Sequence, residues 1–371
     1  MDSGAQSVDP PLTVGTSIPP CQVYDVALLD LDGVVYVGPD AVPAAPAALA
    51  AARAAGMRLG FVTNNAARTP EQVATHLTDL GVPAEPRDVI TSSQAAATVV
   101  AGLLEPGAPV LAVGGPGVAA ALTAAGLTVV QRAEDRPAAV VQGYGRDVGW
   151  TQLAEAVVAV REGARHVATN IDATVPSPRG PLPGNGAMVA VVRAVTGEDP
   201  LVTGKPDPAM HAECVRRTGA RRPLVVGDRL DTDIEGARRA GAASLLVLSG
   251  VTDPVALLGA GPQHRPNLLA EDAAGLLRPH PPVTTNGTSW LCGRWTVRAA
   301  EGGEVLVLEA DGAAEDGDGL DGLRALCVAH WSRHPGQGTP VHVVAAGARA
   351  AETLDRWRVT AGRTGAPAIG T

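Results

Sequence analysis

The segment ALLDLDGVVY, residues 27–36, runs apolar for three residues and then sets Asp30 and Asp32 on either side of Leu31. A short run of successive apolar residues reads as a strand buried on both faces, and such strands belong to parallel sheets. Side chains two apart on an extended segment point the same way. The two carboxylates can therefore face one small volume just past the strand end while Leu31 turns to the core. In open α/β sheets that is where ligands sit. Two acids so close repel each other, and a DxDG string taken alone is equally a strand-end turn whose acids cap the next segment.

The same rhythm recurs along the chain. VALLD, LGFVTN, DVITS, PVLAVGG, AAVVQGY, HVATN, PLVVGD and ASLLVLSG alternate with longer Ala- and Leu-rich stretches of helical character. Strands joined by crossover helices give an α/β fold with a parallel sheet covered on both faces. Polar residues gather at the ends of these runs: Asp30 and Asp32 close one, Thr63, Asn64 and Asn65 another, and Asp228 a third. In GDRLDTD, Asp231 and Asp233 follow Asp228 closely and add hard oxygen ligands of the sort that hold Mg2+. Lys205 lies between a glycine turn and a proline in TGKPDP. Singly, these are a capped helix start, a solvated lysine and a helix cap at Thr63. Together they supply paired carboxylates, a metal-binding acid, a cation and small hydrogen-bond donors. That inventory suits phosphoryl transfer, in which a protein mainly positions groups and neutralises charge.

With 371 residues the chain exceeds one ordinary core, and two or three domains are expected. The net charge of −9 repels nucleic acid and anionic membrane surfaces, so neither is expected as a partner. An anionic ligand must then meet a local positive site. Residues 1–20 carry neither a basic start nor an apolar run and read as a disordered tail rather than a secretory signal. No segment reaches the roughly 18 uninterrupted apolar residues of a membrane span, and a cytoplasmic location is expected. Cys21, Cys214, Cys292 and Cys327 are far apart and form no CxxC pair, which favours reduced thiols. Cys327, His330 and His334 could share one helix face and bind a metal, but no fourth ligand is evident, and side chains on an ordinary surface helix are the expected reading.

The motifs DLDGVVY, FVTNN, TGKPDP and GDRLDTDI, in that order, resemble those of the haloacid dehalogenase superfamily of aspartyl-phosphate hydrolases. The resemblance implies a Rossmann-like parallel-sheet core over residues 21–94 and 201–280. It implies Asp30 as the nucleophile that becomes phosphorylated. Asp32 would protonate the leaving alkoxide and then deprotonate the hydrolytic water. Thr63, Asn64, Asn65 and Lys205 would bind the substrate, Thr63 by hydrogen bonds to phosphoryl oxygens and Lys205 by neutralising charge. Mg2+ would be held by Asp30, the backbone carbonyl of Asp32 and Asp228, with Asp233 in support. To act as an acid at neutral pH Asp32 must keep a proton, and a bound phosphate dianion nearby would raise its pKa.

Asn65 and Lys205 are separated by far more chain than one crossover needs. Residues 95–200 have their own strand and helix alternation and read as an inserted cap domain. GYGRD, ATNIDAT and PGNGAMVAVVRAVTGEDP resemble the para-nitrophenyl phosphatase-like branch with the larger α/β cap, although Trp150 stands where that branch often has Tyr. Its members include phosphatases of glycerol phosphate, phosphoglycolate and pyridoxal phosphate. A cap excludes bulk water and selects the leaving group, so a small phosphorylated metabolite is the expected partner. Within the branch, the mycobacterial type of glycerol 3-phosphate phosphatase carries an extra C-terminal domain, and the resemblance points to that substrate. The rivals are phosphoglycolate, pyridoxal phosphate, phosphotransfer to an acceptor, and a catalytically silent phosphate sensor. A homo-oligomer is compatible with all of these.

RPHPPVTTNGTS, residues 278–289, breaks the apolar period and reads as a linker. Residues 288–371 are expected to form a small α+β domain that faintly resembles a shortened acetyltransferase-like module. RHPGQG, residues 333–338, spells the RxxGxG that holds a pyrophosphate in such enzymes. Here it follows a helix and precedes a strand, so no helix N-terminus would meet the phosphates. A turn in an inactive domain of structural or regulatory role is the expected reading.

Overall fold

The computed structural model describes residues 11–175, 177, 179–300, 305–312, 317–336 and 338–359. It divides into two units, Met1–Leu59 with Arg222–Thr371, and Gly60–Arg221. That division falls inside the stretches 21–94 and 201–280.

In the first unit the strands Leu268–Ala270, Ala243–Val247, Pro223–Gly227 and Val26–Asp30 lie side by side in that order, all parallel. The register runs from Val26 opposite Pro223 to Leu29 opposite Val226. Their apolar runs are buried on both faces, as the sequence pattern requires of a covered parallel sheet. Val26–Asp30 is buried until Asp30, where the strand ends and the side chain becomes half-buried.

The C-terminal part of this unit has a second sheet. Thr284–Thr285, Ser289–Cys292, Trp295–Ala299 and Val305–Ala310 pair antiparallel in sequence order, and His342–Ala346 adds a parallel edge. Helix Asp321–Arg333 lies within the protein, and every residue from Asp321 to Trp331 is buried. It is not the surface helix the sequence suggested. Leu323, Leu326 and Trp331 share one apolar cluster with Trp295 and Leu308 of the second sheet, with Leu246 and Leu269 of the first, and with Leu258 of helix Pro254–Leu258. Arg324, buried with the rest, pairs with Asp318 and Asp321 and donates to the Leu269 carbonyl at 2.6 Å.

Two segments expected to be loose are packed. Of the expected tail, residues 1–10 lie outside the described residues, but Leu12 is 2% exposed and donates its N–H to the Asn267 carbonyl. Thr16 and His280 exchange main-chain hydrogen bonds of 2.8 and 3.1 Å, which ties residues 11–19 to the expected linker. In that linker His280 and Val283 are buried and Thr284–Thr285 joins the sheet. Apolar burial at Leu12 and Val283 outweighs the turn-forming composition around them.

In the second unit Arg58–Thr63, which begins just before it, pairs in parallel with Val89–Thr91, Thr63 opposite Thr91. A five-stranded parallel sheet follows, ordered Leu201–Val202, Arg165–Ala168, Ala139–Gln142, Pro109–Val113 and Thr128–Val130. Alternate residues of Pro109–Val113 and Ala139–Gln142 enter different clusters: Val110 and Val141 pack with Val118 and Leu122, Leu111 and Val140 with Leu153 and Val160. This is the period-two pattern of a sheet covered on both faces. The expected cap boundary at residue 95 falls inside helix Ser92–Leu103, and the new sheet begins at Pro109. The glycines of VGGPG, residues 113–117, serve close packing. A methyl on Gly117 would strike the Ala66 and Arg68 carbonyls, and the Gly117 N–H donates to the Ala67 carbonyl at 3.0 Å.

Candidate active site

In the first unit the chain turns sharply after Val26–Asp30. Leu31 is buried, and its carbonyl accepts the N–H groups of Val35 and Tyr36 at 2.9 and 3.1 Å. Gly33 has φ +82°, a conformation that favours glycine, and Asp32 is exposed on the turn. Pro223–Gly227 ends next to Asp228, and the following turn, Leu230–Ile234, is a widened helical turn in which the Ile234 N–H reaches the Arg229 carbonyl. That widening directs Asp233 back toward the strand end.

Asp30, Asp228 and Asp233 each offer a carboxylate oxygen, and the three oxygens lie within 4.8 Å of one another. Asp228 and Asp233 are each only 1% exposed. Asp228 Oδ2 accepts the Val251 N–H at 2.7 Å, and Asp233 Oδ2 accepts the Arg229 N–H at 3.2 Å. Ser249 Oγ donates to the Gly33 carbonyl at 2.6 Å, which fixes the turn that carries Asp32. Glycine is required around these acids: a methyl on Gly33 or Gly250 would overlap the Asp228 carboxylate, and one on Gly227 would overlap Asp233. Asp231, raised by the sequence as a further ligand, lies apart. It is an exposed bidentate partner of Arg229 at 3.1 and 2.8 Å.

Three carboxylates this close repel unless a cation lies among them. An octahedral ion with oxygens at about 2.1 Å holds those oxygens roughly 3 to 4.2 Å apart, separations that fall within the 4.8 Å found here. An all-oxygen, all-carboxylate set is the donor chemistry of Mg2+. Among the described residues it is the one group of three or more acidic, histidine or cysteine side chains spaced to hold a metal. Cys327, His330 and His334 do not form another. Cys327 is buried, and His330 Nε2 bonds to the Thr339 carbonyl at 2.9 Å.

In the second unit Thr63 closes Arg58–Thr63, buried, with its Oγ1 accepting the Asn65 N–H at 3.0 Å. Asn65 is exposed and caps the loop through Oδ1, which accepts the Ala67 N–H. Asn64 binds the main chain of Lys205: Oδ1 accepts the Lys205 N–H at 2.9 Å and Nδ2 donates to the Lys205 carbonyl at 3.1 Å. Lys205 is half-buried, just before helix Pro208–Thr218, which Asp207 caps by accepting the Ala209 N–H. The eight expected site residues thus form two groups, one in each unit. Ser249, Val251, Asn170 and Asp172 were not found from sequence, although ASLLVLSG and HVATN both end in polar residues as the other site strands do.

All four cysteines are free and buried. Burial pushes the Cys214 thiol up to about 12 and raises those of Cys292 and Cys327 as well, so none is poised as a nucleophile. RHPGQG follows helix Asp321–Arg333 and precedes strand His342–Ala346, an order that offers phosphates no helix N-terminus; Gln337 lies outside the described residues.

Haloacid dehalogenase-like hydrolase sequences match residues 27–128, HAD-hydrolase-like sequences residues 202–276, and a GCN5-related N-acetyltransferase like domain residues 292–358. The chain is 44% identical over 342 residues to the D-glycerol 3-phosphate phosphatase of Mycobacterium tuberculosis, covering 91% of this chain and 94% of that protein. It is 37% identical over 231 residues to the acid sugar phosphatase of Staphylococcus aureus, covering 62% of this chain and 88% of that protein. A crystal structure of the glycerol phosphate phosphatase from Mycobacterium tuberculosis in complex with magnesium aligns with a TM-score of 0.81 at 43% identity, over 91% of this chain and 98% of that one.

Proposed function

The chain belongs to the haloacid dehalogenase-like hydrolases, and we propose that it is a Mg2+-dependent phosphatase that cleaves glycerol 3-phosphate through an aspartyl-phosphate. The observation that carries the proposal is the convergence of Asp30, Asp228 and Asp233 at two neighbouring strand ends. The relative that supports the substrate is matched over nearly its whole length.

Asp30 is the nucleophile. Its carboxylate oxygen attacks phosphorus and the ester P–O bond breaks, while Asp32 gives its proton to the departing alkoxide. Asp32 then takes a proton from water as that water attacks phosphorus, and the bond to Asp30 breaks to release inorganic phosphate. Exposure of Asp32 on its turn gives it access to a leaving group and to water. Asp30, the Asp32 carbonyl and Asp228, with Asp233 in support, would hold Mg2+, which would supply charge neutralisation at the phosphoryl oxygens. Thr63 donates a hydrogen bond to the phosphoryl group, the Asn65 loop lines it, and Lys205 offsets its negative charge.

Residues 21–94 and 201–280 serve as the catalytic core in this reading, and 95–200 as the cap that selects a small leaving group. Residues 288–371 have a structural role, consistent with the buried helix Asp321–Arg333. No helix among the described residues is long and apolar enough to cross a membrane. A sugar phosphate is the second substrate reading, favoured by the acid sugar phosphatase relative.

Release of inorganic phosphate from glycerol 3-phosphate, phosphoglycolate, pyridoxal phosphate and sugar phosphates, with Mg2+ and then with a chelator, tests the assignment. The expected outcome is preference for glycerol 3-phosphate, loss on chelation, no turnover by D30N, and a fall of about 100- to 10,000-fold for D32N. Near-normal turnover by D32N removes the proposed acid and base. Equal weak activity on every ester removes the substrate assignment.

A further inference from the structure

The FVTNN and TGKP loops are joined through one side chain. Asn64 takes both main-chain groups of Lys205, and its second amide hydrogen goes to Asp172 Oδ2 at 3.3 Å. Asn64 is itself held, because its carbonyl accepts from Ser92 Oγ and from Asn170 Nδ2, each at 2.7 Å. Gly204 completes the fit: a methyl there would overlap the Thr169 carbonyl and press on Asn64 Oδ1. Asn170 and Asp172 follow strand Arg165–Ala168 of the five-stranded sheet, so the inserted segment reaches this point directly.

A lysine ammonium is a point charge on a flexible four-carbon stem, and its position is only as well defined as the backbone that carries the stem. A carboxamide that donates to the carbonyl and accepts from the N–H of one residue fixes that backbone in translation and rotation. Both amide hydrogens and the oxygen of Asn64 are engaged with protein. The side chain therefore supports the Lys205 backbone.

We infer that Asn64 is a positioning residue for Lys205, and that Asn170 and Asp172 make the placement of the lysine depend on the cap segment. This rests on the phosphatase reading, in which Lys205 offsets phosphoryl charge. Asp172 accepts the spare amide hydrogen and so orients the carboxamide, which fixes which end faces the Lys205 N–H.

The test compares wild type, N64A, N64D, K205A and the N64A/K205A double variant. It reads turnover of glycerol 3-phosphate and, independently, the affinity for inorganic phosphate by calorimetry in Mg2+. N64A is expected to lose about 100-fold in turnover, the scale of an ångström-sized misplacement, and to weaken phosphate binding. In the K205A background the same change should alter phosphate affinity by less than about threefold, because the group being positioned is gone. N64D keeps the shape and the acceptor for the Lys205 N–H but loses both donors; it is expected to be impaired like N64A and carries the test if the alanine variant does not fold. Losses in the double variant that add in full indicate a merely structural role and overturn the inference. So does near-wild-type behaviour of both N64A and N64D beside an impaired K205A. An unimpaired K205A instead overturns the role of Lys205 itself, and the inference falls with it.

Discussion

Asp228 shows how much of a site is made by residues that carry no chemistry. Its carboxylate is held by the Val251 N–H and enclosed by Gly33 and Gly250, at neither of which there is room for a methyl. Gly33 carries a second constraint in its φ of +82°. Gly33→Ala should therefore strain the turn by about 1–3 kcal/mol and displace the carboxylate. Mg2+ should bind roughly 10- to 100-fold more weakly, the usual cost of disturbing a ligand's support. Mg2+ titration of activity beside a thermal melt checks this, and unchanged metal dependence would show that Asp228 is not a ligand. At this scale the acids were legible, because carboxylates at the end of an apolar run have no packing reason to be there. Ser249 and Val251 were not, since a hydroxyl and a main-chain N–H acquire meaning only when another strand end is brought beside them.

Helix Asp321–Arg333 belongs to the scale of elements. Its charged and histidine residues made it look solvent-facing, yet Arg324 is 1% exposed and its two terminal nitrogens are held by Asp318, Asp321 and the Leu269 carbonyl. Burial alone would disfavour its charge, but the two aspartates outweigh that and raise the guanidinium pKa. Arg324→Met leaves two carboxylates low in solvent and without their cation, and is expected to cost about 3–5 kcal/mol. Replacing Arg324, Asp318 and Asp321 together by apolar residues should recover much of the loss, because no orphaned charge then remains. Urea unfolding of the two variants decides it; equal losses would mean the ion cluster is not what holds the helix. Sequence period could not reveal this burial, because the cluster that encloses the helix is assembled from two sheets distant in the chain.

Over the whole molecule, acid should destabilise the fold in two stages. Burial lowers the pKa of His280 and of His166 below the ordinary value of 6.5. Between about pH 6.5 and the lower folded values the unfolded chain binds protons that the folded chain refuses, so stability falls as pH falls. Glu213 and Asp318 act later. Burial opposes their ionisation, but hydrogen bonds from Arg216 and Arg217 to the first and from Arg324 to the second outweigh it, and both pKa values lie below the ordinary 4.5 and 3.8. Their contribution is whole above those ordinary values and is lost as pH drops through the depressed ones. Melting temperature against pH should show a gradual decline beginning near neutrality, then a steeper one in the carboxylate range. His280→Gln should flatten the first part, and an unchanged profile would assign that stage to other groups.

The sequence by itself determined the α/β class, because runs such as VALLD and PLVVG can be stable only as strands covered on both faces. It also marked Asp30, Thr63, Lys205 and Asp228 as strand-end or turn residues of unusual polarity, since local pattern suffices to show what a core would reject. The motif resemblance had already grouped Asp233 with Asp30 and Asp228, but tertiary structure alone decided that Asp231 turns away to Arg229. It alone decided that Asn64 serves the Lys205 backbone, and that residues 11–19 and 278–285 are packed rather than loose. The reason is common to all of these: a strand's period is set by neighbours along the chain, whereas a hydrogen-bond partner is set by which distant segment the fold brings within 3 Å.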